Sequence, residues 1–229
     1  MQIELRNSKL KNFHHWLNNT IPDYLALCEA GSTTAGDPWV EGRSDRDITI
    51  VVEHVSKETD EKIQEYLHVA GFDDTYLFLT LPRMYFLTTH SDQDLSMKFR
   101  GETLYGEDLV KVKEAPSQEF ASTIAKNGLA GMPRKFRTRL LNSDYWSMEH
   151  LKDKLYPEFK KLFMYLADLR YSETGQYPRR RKDVAKEFYS EELMRIENAI
   201  ATINQVTCKE LQQSTESAIS FLRSIGQES

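Results

Sequence analysis

The most informative stretch of this chain is AGSTTAGDPWVEGRSDRDITIVV, which runs from Ala30 to Val52. It opens with Gly31-Ser32, passes through a loop rich in glycine and polar residues, and enters an apolar, β-branched run through Asp45-Arg46-Asp47. Side chains alternate between the two faces of a strand, so we expect Asp45 and Asp47 to point the same way, with their Cβ atoms about 7 Å apart. The stretch therefore predicts two carboxylates held at the start of a buried strand.

The chemistry of these residues suits the handling of phosphate groups. Two carboxylates can share a divalent cation, and Mg²⁺ takes oxygen ligands while leaving room for substrate phosphates. Gly31-Ser32 offers backbone N–H groups where a loop passes into a helix, and phosphates are commonly held at such places. Either motif alone would indicate only a turn or a surface loop. Their order along the chain favours half of a phosphoryl-transfer site.

This order of motifs resembles the nucleotidyltransferase fold of the DNA polymerase β superfamily. More narrowly, it is similar to the aminoglycoside-type antibiotic adenylyltransferases and the minimal nucleotidyltransferases, which share a Gly-Ser, spacer, Ser-Asp-x-Asp signature. The resemblance implies that Gly31 and Ser32 grip the triphosphate of ATP or another NTP, and that Asp45 and Asp47 bind Mg²⁺. The chain departs from the pattern at Thr34-Ala35-Gly36, where relatives often carry Ala-Arg-Gly. A basic contact common near this loop is therefore absent or supplied from elsewhere.

The resemblance also implies a reaction. A nucleoside monophosphate, expected to be AMP from ATP, would pass to a hydroxyl group of a small molecule such as an aminoglycoside-like compound, with pyrophosphate leaving. Lincosamide-like compounds and a protein side chain are further candidates for the acceptor. A rival interpretation is a catalytically weak or inactive module of the same fold that binds a nucleotide or a protein partner.

A third carboxylate, which relatives place on a strand next to the Asp-x-Asp strand, has no clear match. Glu53 has the right face parity, but the strand rise puts it about 20 Å from Asp47. Asp73 and Asp74 precede a predicted strand, and we favour Asp74 as the base or third carboxylate because Asp73 better suits a cap in the turn. Both can equally be turn residues, which would leave the triad incomplete. Three weaker candidates have only their charge to recommend them: Asp92, Asp94 and Glu149.

A basic cluster, Arg179-Arg180-Arg181-Lys182, is the best source of positive charge for a triphosphate. Its surroundings are similar to the Thr-Gly-x-x-x-Ser-Lys-x-x-Ala region in the helical domain of aminoglycoside adenylyltransferases, where the lysine contacts nucleotide phosphates. The resemblance assigns this role to Lys182, with Arg181 or Arg180 as alternatives, although this loop is about two residues longer and lacks the serine. A solvated loop is the competing interpretation.

Composition limits the class of protein. A length of 229 residues with 40% hydrophobic residues is typical of one large or two modest globular domains. The net charge of −5 argues against a general nucleic-acid binder, which needs a basic surface.

Cys28 and Cys208 match neither a disulfide framework nor a metal site, which predicts a reducing compartment. The apolar runs are too short for a membrane span, and the first residues do not resemble a signal peptide, so we expect a cytoplasmic protein. The sequence leaves a homodimer open.

Periodicity predicts the arrangement of elements in the first half. We expect an amphipathic helix over 8–19, a strand from Tyr24 to Ala30, and a helix over 57–70 capped by Ser56. Further strands are expected over 76–81 and 84–88. Strand–helix–strand connectivity then indicates an α/β sheet of mixed direction.

The second half has a different sequence pattern: it consists of long amphipathic stretches in which proline and glycine are sparse. The stretches predict helices over 117–127, 134–143, 147–172, 180–204 and 207–225. The predicted architecture is an α/β mixed-sheet nucleotidyltransferase domain over residues 1–115, followed by an all-α helical bundle domain over residues 116–229.

Overall fold

The computed structural model describes residues 2–73, 75–88 and 91–226. The chain forms two compact units, the first made of Met1–Thr34 and Asp45–Ala115 and the second of Ala35–Ser44 and Pro116–Ser229. The sequence-based division has a single boundary, between residues 115 and 116. In the structure the chain also crosses into the second unit after Thr34 and returns at Asp45.

The first unit is built on a four-stranded sheet with the order β3-β2-β1-β4. Its strands are β1 (Tyr24–Ala30), β2 (Arg46–Val52), β3 (Tyr76–Pro82) and β4 (Glu102–Gly106). β1 pairs antiparallel with both β2 and β4, whereas β2 and β3 are parallel. The prediction of a mixed-direction α/β sheet is therefore confirmed.

Helices cover both faces of this sheet. α1 (Gln2–Thr20) and α3 (Lys57–Val69) supply Phe13 and Ile63 to a core that contains Ile48 and Ile50 of β2. On the opposite face, Val51 packs in a second core with residues of three short helices: α4 (Arg83–Leu87), α5 (Asp92–Arg100) and α6 (Leu109–Val112). Because β2 is buried from Ile48 to Val52 by helices on both faces of the sheet, it is held rigidly.

The predicted strand over 84–88 is wrong, because residues 84–87 belong to α4 and Thr88 is the residue that caps it. Pro82 ends β3, and in the part of the chain that the structure describes no further strand lies beside β3 to supply a hydrogen-bonding partner. A single helical turn satisfies the backbone locally and buries one side chain, Phe86, while Met84 and Tyr85 stay exposed. The hydroxyl of Thr88 then donates to the carbonyl of Met84 at 3.1 Å and closes the turn.

The second unit is helical, as the sequence predicts. Its longer helices are α7 (Gln118–Ala130), α8 (Met132–Asn142), α9 (Met148–Thr174), α10 (Arg181–Glu187), α11 (Glu191–Ala201) and α12 (Cys208–Ser224). Phe159, Leu162 and Leu166 of α9 are fully buried in the common core. Within the described ranges, no helix is both long enough and apolar enough to cross a membrane.

The stretch predicted as one helix over 180–204 is two helices in the structure. The break falls at Tyr189, whose φ of 47° lies in the left-handed region. Ser190 then caps a new helix, since its hydroxyl accepts a hydrogen bond from the Leu193 backbone N–H at 3.1 Å. Side-chain capping thus outweighs the continuous apolar periodicity across this position.

Residues 35–44 form an excursion that the helices of the second unit hold firmly. Val40 lies in the helical core, and its backbone N–H donates to the Ser44 hydroxyl, which is 3.0 Å from the Tyr156 hydroxyl. Arg43 donates to the side chains of Asp153 and Asn204. The connection between the two motifs of the first unit is therefore an ordered part of the second unit.

Cys28 is expected to resist thiol reagents in the folded protein. It is fully buried in β1, and this burial raises the pKa of its thiol to about 12 from an ordinary value of 9.0. The reactive thiolate is therefore scarce at neutral pH, whereas the half-buried Cys208 is accessible. Mass spectrometry after native labelling should find Cys208 modified and Cys28 unmodified.

The raised pKa of Cys28 also predicts how the stability of the protein depends on pH. Because the folded pKa is raised, the contribution of Cys28 to stability is complete below about pH 9 and is lost as the pH rises towards 12. The gap in unfolding free energy between wild type and Cys28→Ala should narrow over that range. Equal native labelling of both cysteines would contradict the burial argument.

Candidate functional site

Asp45 and Asp47 lie where the chain enters β2 in the first unit. Asp45 is half-buried just before the strand, Arg46 is buried, and Asp47 is exposed. This alternation is the one expected if the two carboxylates share a side of the strand. Asp47 pairs with Ala30, the last residue of β1, so the end of β1 and the start of β2 meet at this point.

The bend at Gly31 lies directly against the Asp47 carboxylate. A Cβ atom added to Gly31 would be 3.8 Å from Oδ2 of Asp47 and 3.7 Å from the backbone oxygen of Asp45. The φ of Gly31 is 126°, a conformation that glycine adopts without strain and other residues rarely adopt. The sequence motif Gly-Ser and the motif Asp-x-Asp are therefore spatial neighbours, and the chain turns sharply between β1 and the following residues.

Ser32 contributes a buried hydroxyl to the same place. It is 2% exposed, and its Oγ has no hydrogen-bond partner among the residues that the structure describes. It begins a single helical turn, α2 (Ser32–Ala35), which the Thr34 hydroxyl stabilises by donating to the Gly31 carbonyl. Leaving a buried hydroxyl unsatisfied costs about 1–3 kcal/mol, which a ligand oxygen would recover.

A buried ion pair that the sequence did not predict supports the acidic residues from the other face. Arg46, between the two aspartates, donates from Nε to Oε1 of Glu29 at 2.6 Å and from Nη2 to Oε2. Glu29 is 1% exposed, and the guanidinium lies 5.7 Å from the ring centre of Tyr76. Burial lowers the pKa of Arg46, but the hydrogen bond and charge of Glu29 outweigh it and the net pKa is raised.

This bidentate pair fixes the backbone on which both aspartates are mounted. One feature of the sequence could have predicted the Glu29–Arg46 ion pair. Glu29 is the one charged residue in the apolar strand Tyr24–Ala30, and such a residue needs an opposite charge on a neighbouring strand.

A third carboxylate is not placed by the structure. Asp74 lies outside the described residues. Asp73 caps the turn, since its Oδ1 accepts from the Thr75 backbone N–H at 3.0 Å. β3 does neighbour the aspartates, but the residue paired with Asp47 is Leu77, and no acidic residue occurs in Tyr76–Pro82.

Two of the weaker acidic candidates have structural partners. Asp94 accepts a hydrogen bond from Lys113, and Glu149 pairs with Arg43 in the second unit. Across residues 2–73, 75–88 and 91–226, no group of three histidine, cysteine or acidic side chains is positioned to hold a metal.

The basic cluster belongs to the second unit, and its members differ in exposure. Arg181 is 3% exposed: its backbone N–H and its Nη1 donate to Asp37 at 2.9 and 3.3 Å. Its Nε and Nη2 atoms are buried without a hydrogen-bond partner within the described part of the chain. Arg180 is bound to Asp183, whereas Lys182 is exposed. Arg181 thus holds residues 35–44 at Asp37, and Lys182, like Arg179, is exposed to solvent.

The donor set at the start of β2 fits a magnesium ion. Asp45 and Asp47 offer carboxylate oxygens, and Mg²⁺ is usually held by one or two carboxylates together with waters and substrate phosphates. No cysteine or histidine that would favour a softer metal is adjacent to the pair in the sequence.

A scan against protein-family models found no match for this chain, and a search among curated proteins found none either.

Proposed function

We propose that this protein is a Mg²⁺-dependent nucleotidyltransferase that moves a nucleoside monophosphate, AMP from ATP in the first instance, onto a hydroxyl of a small-molecule acceptor. The observation that carries the proposal is the contact of the Asp47 carboxylate with the Gly31 bend. This contact combines a metal-binding chemistry with a phosphate-binding one. Neither motif would support the proposal without the other.

Each residue then has a defined task. Asp45 and Asp47 would hold Mg²⁺, which when bound would neutralise charge on the phosphate oxygens. The Gly31 bend would allow close approach of a phosphate, and the unsatisfied Ser32 hydroxyl would donate to it. Lys182 would supply a cationic contact, and Asp74 would act as the base or third carboxylate; both roles rest on the family resemblance.

A second candidate function is a nucleotide-binding module with little or no transfer activity. One observation favours it, since the strand beside the aspartates presents Leu77 to Asp47 where a third carboxylate would complete the site. The loop between the two motifs also lacks the arginine common in relatives. Such a module would retain metal-linked nucleotide binding and lose the chemical step.

Calorimetry and a turnover assay together separate the two functions. The affinities for ATP, GTP, CTP and UTP are measured with and without Mg²⁺. Pyrophosphate release is then followed with a panel of aminoglycoside, lincosamide and peptide hydroxyl acceptors. Mg²⁺-dependent binding with acceptor-dependent release is the expected result. Binding without release on any acceptor would support the module, and the absence of Mg²⁺-linked binding of ATP, GTP, CTP and UTP would overturn both.

A further inference from the structure

The outer edge of β3 is the least protected part of the sheet. β3 is the terminal strand, and within the described residues its only strand partner is β2. Its sequence, Tyr-Leu-Phe-Leu-Thr-Leu-Pro, contains no charged residue. Leu77 and Leu79 are 51% and 47% exposed, and both point to the face that carries Asp47. An uncharged, apolar edge of this kind pairs readily with another strand.

The opposite edge of the sheet is protected in the usual way. β4 is shorter, begins with the exposed Glu102, and is followed by the exposed Asp108, whereas Glu107 pairs with Arg83 at 3.3 Å. Acidic side chains at an edge repel an incoming strand and keep it in solvent. Only one of the two edges is therefore suited to association.

Apolar groups flank β3 on both faces. Beside β3 a cleft of about 340 Å³ is lined chiefly by aromatic and aliphatic residues, including Phe72, Tyr76, Leu77 and Phe78. Met84 and Tyr85 of α4, directly after β3, are 80% and 48% exposed. A strand that pairs with β3 would therefore cover apolar surface on both faces of the sheet.

We propose that β3 pairs with β3 of a second copy of this chain, antiparallel across a two-fold axis, to form one continuous sheet. A register centred on Leu79 places Leu79 opposite its own copy and Leu77 opposite Leu81. All six leucines then lie on one face, where they bury one another.

A second copy fits this edge better than other arrangements. Two uncharged strands of the same sequence carry no repulsion, and a two-fold pairing is closed, so it ends at a dimer. Pairing β3 with β4 of another molecule would instead bring Leu77 and Leu79 against an acidic edge and continue without closing. Stable dimers bury about 800 Å² per partner, which the exposed Met84 and Tyr85 help to supply.

Analytical ultracentrifugation across the accessible concentration range tests the proposal. We expect a monomer–dimer equilibrium for the wild type, a monomer for Leu79→Lys, and a dimer for Leu141→Lys, a matched change of a leucine that is 76% exposed in α8. Thermal unfolding checks that both variants are folded. If Leu79→Lys unfolds, oxidation of Leu79→Cys in a Cys208→Ser background replaces it, and a cross-linked dimer is expected.

Each other outcome overturns the proposal. A wild type that stays monomeric at every concentration would overturn the proposal, even if β3 of that monomer binds an extended peptide. A dimer that persists in folded Leu79→Lys, or that Leu141→Lys abolishes, would place the interface elsewhere.

Discussion

Replacing Asp47 with asparagine is expected to weaken Mg²⁺-dependent ATP binding and to lower any turnover by at least about a hundredfold, because a metal contact worth several kcal/mol is lost. The amide keeps the size of the side chain but removes the negative charge that would attract the ion. Asp47 is exposed at the start of β2, so the change should leave the fold intact. Calorimetry with and without Mg²⁺ measures the binding, and pyrophosphate release measures the turnover.

Glu53→Gln is the matched control for Asp47→Asn. Glu53 follows β2 at its far end and makes a partly exposed ion pair with Arg83, at 3.7 Å. The control therefore removes one negative charge from the same part of the chain without touching the proposed site. If Asp47→Asn binds Mg²⁺–ATP as the wild type does, Asp47 is not a metal ligand and the proposed function fails at its central residue.

Replacing Lys113 with methionine is expected to destabilise the first unit by about 3–5 kcal/mol, the usual cost of removing one partner from a buried ion pair. The Lys113 side chain is fully buried, and its three donors are all used. It donates to Asp94 at 2.8 Å, to the Thr88 carbonyl at 2.7 Å and to the Phe86 carbonyl. The variant would leave these acceptors buried without their donor. Urea denaturation followed by circular dichroism measures the loss.

Lys111→Met is the control, because Lys111 is an exposed lysine in α6, the short helix that ends just before Lys113. It should change stability by less than about 0.5 kcal/mol. Adding Asp94→Asn to Lys113→Met should cost less than the sum of the two single changes, since the unpaired buried charge is then removed. Equal effects of Lys113→Met and Lys111→Met would show that the buried network contributes nothing.

Much of the fold follows from local patterns. The strand over Tyr24–Ala30 was predicted with its observed bounds, and the helix after Ser56 begins as expected, with the Ser56 hydroxyl accepting from the Thr59 backbone N–H. These elements are determined by side-chain alternation and capping, which act within a few residues. The strand predicted over 84–88 failed because a strand needs a neighbour, and its own residues contain no information about one.

The proposed site likewise contains residues that local motifs predict and contacts that they do not predict. Gly31, Ser32, Asp45 and Asp47 were chosen from residue type and order, and the structure brings the Gly31 bend against Asp47. The Glu29–Arg46 pair and the bond between Arg181 and Asp37 were not predicted. Each joins residues from different elements, so neither has a signature at fixed spacing in the sequence.

The sequence alone indicates most of the helices and strands, the mixed sheet followed by helices, and the acidic and Gly-Ser motifs, because each depends on residue types within one segment. Three other features come from tertiary packing: residues 35–44 belong to the helical unit, Arg181 is buried against Asp37, and Leu77 is the residue beside Asp47. These features depend on strand pairing and on burial between distant segments. Such contacts arise only when the whole chain is packed, since their free energy comes from groups that are far apart in sequence.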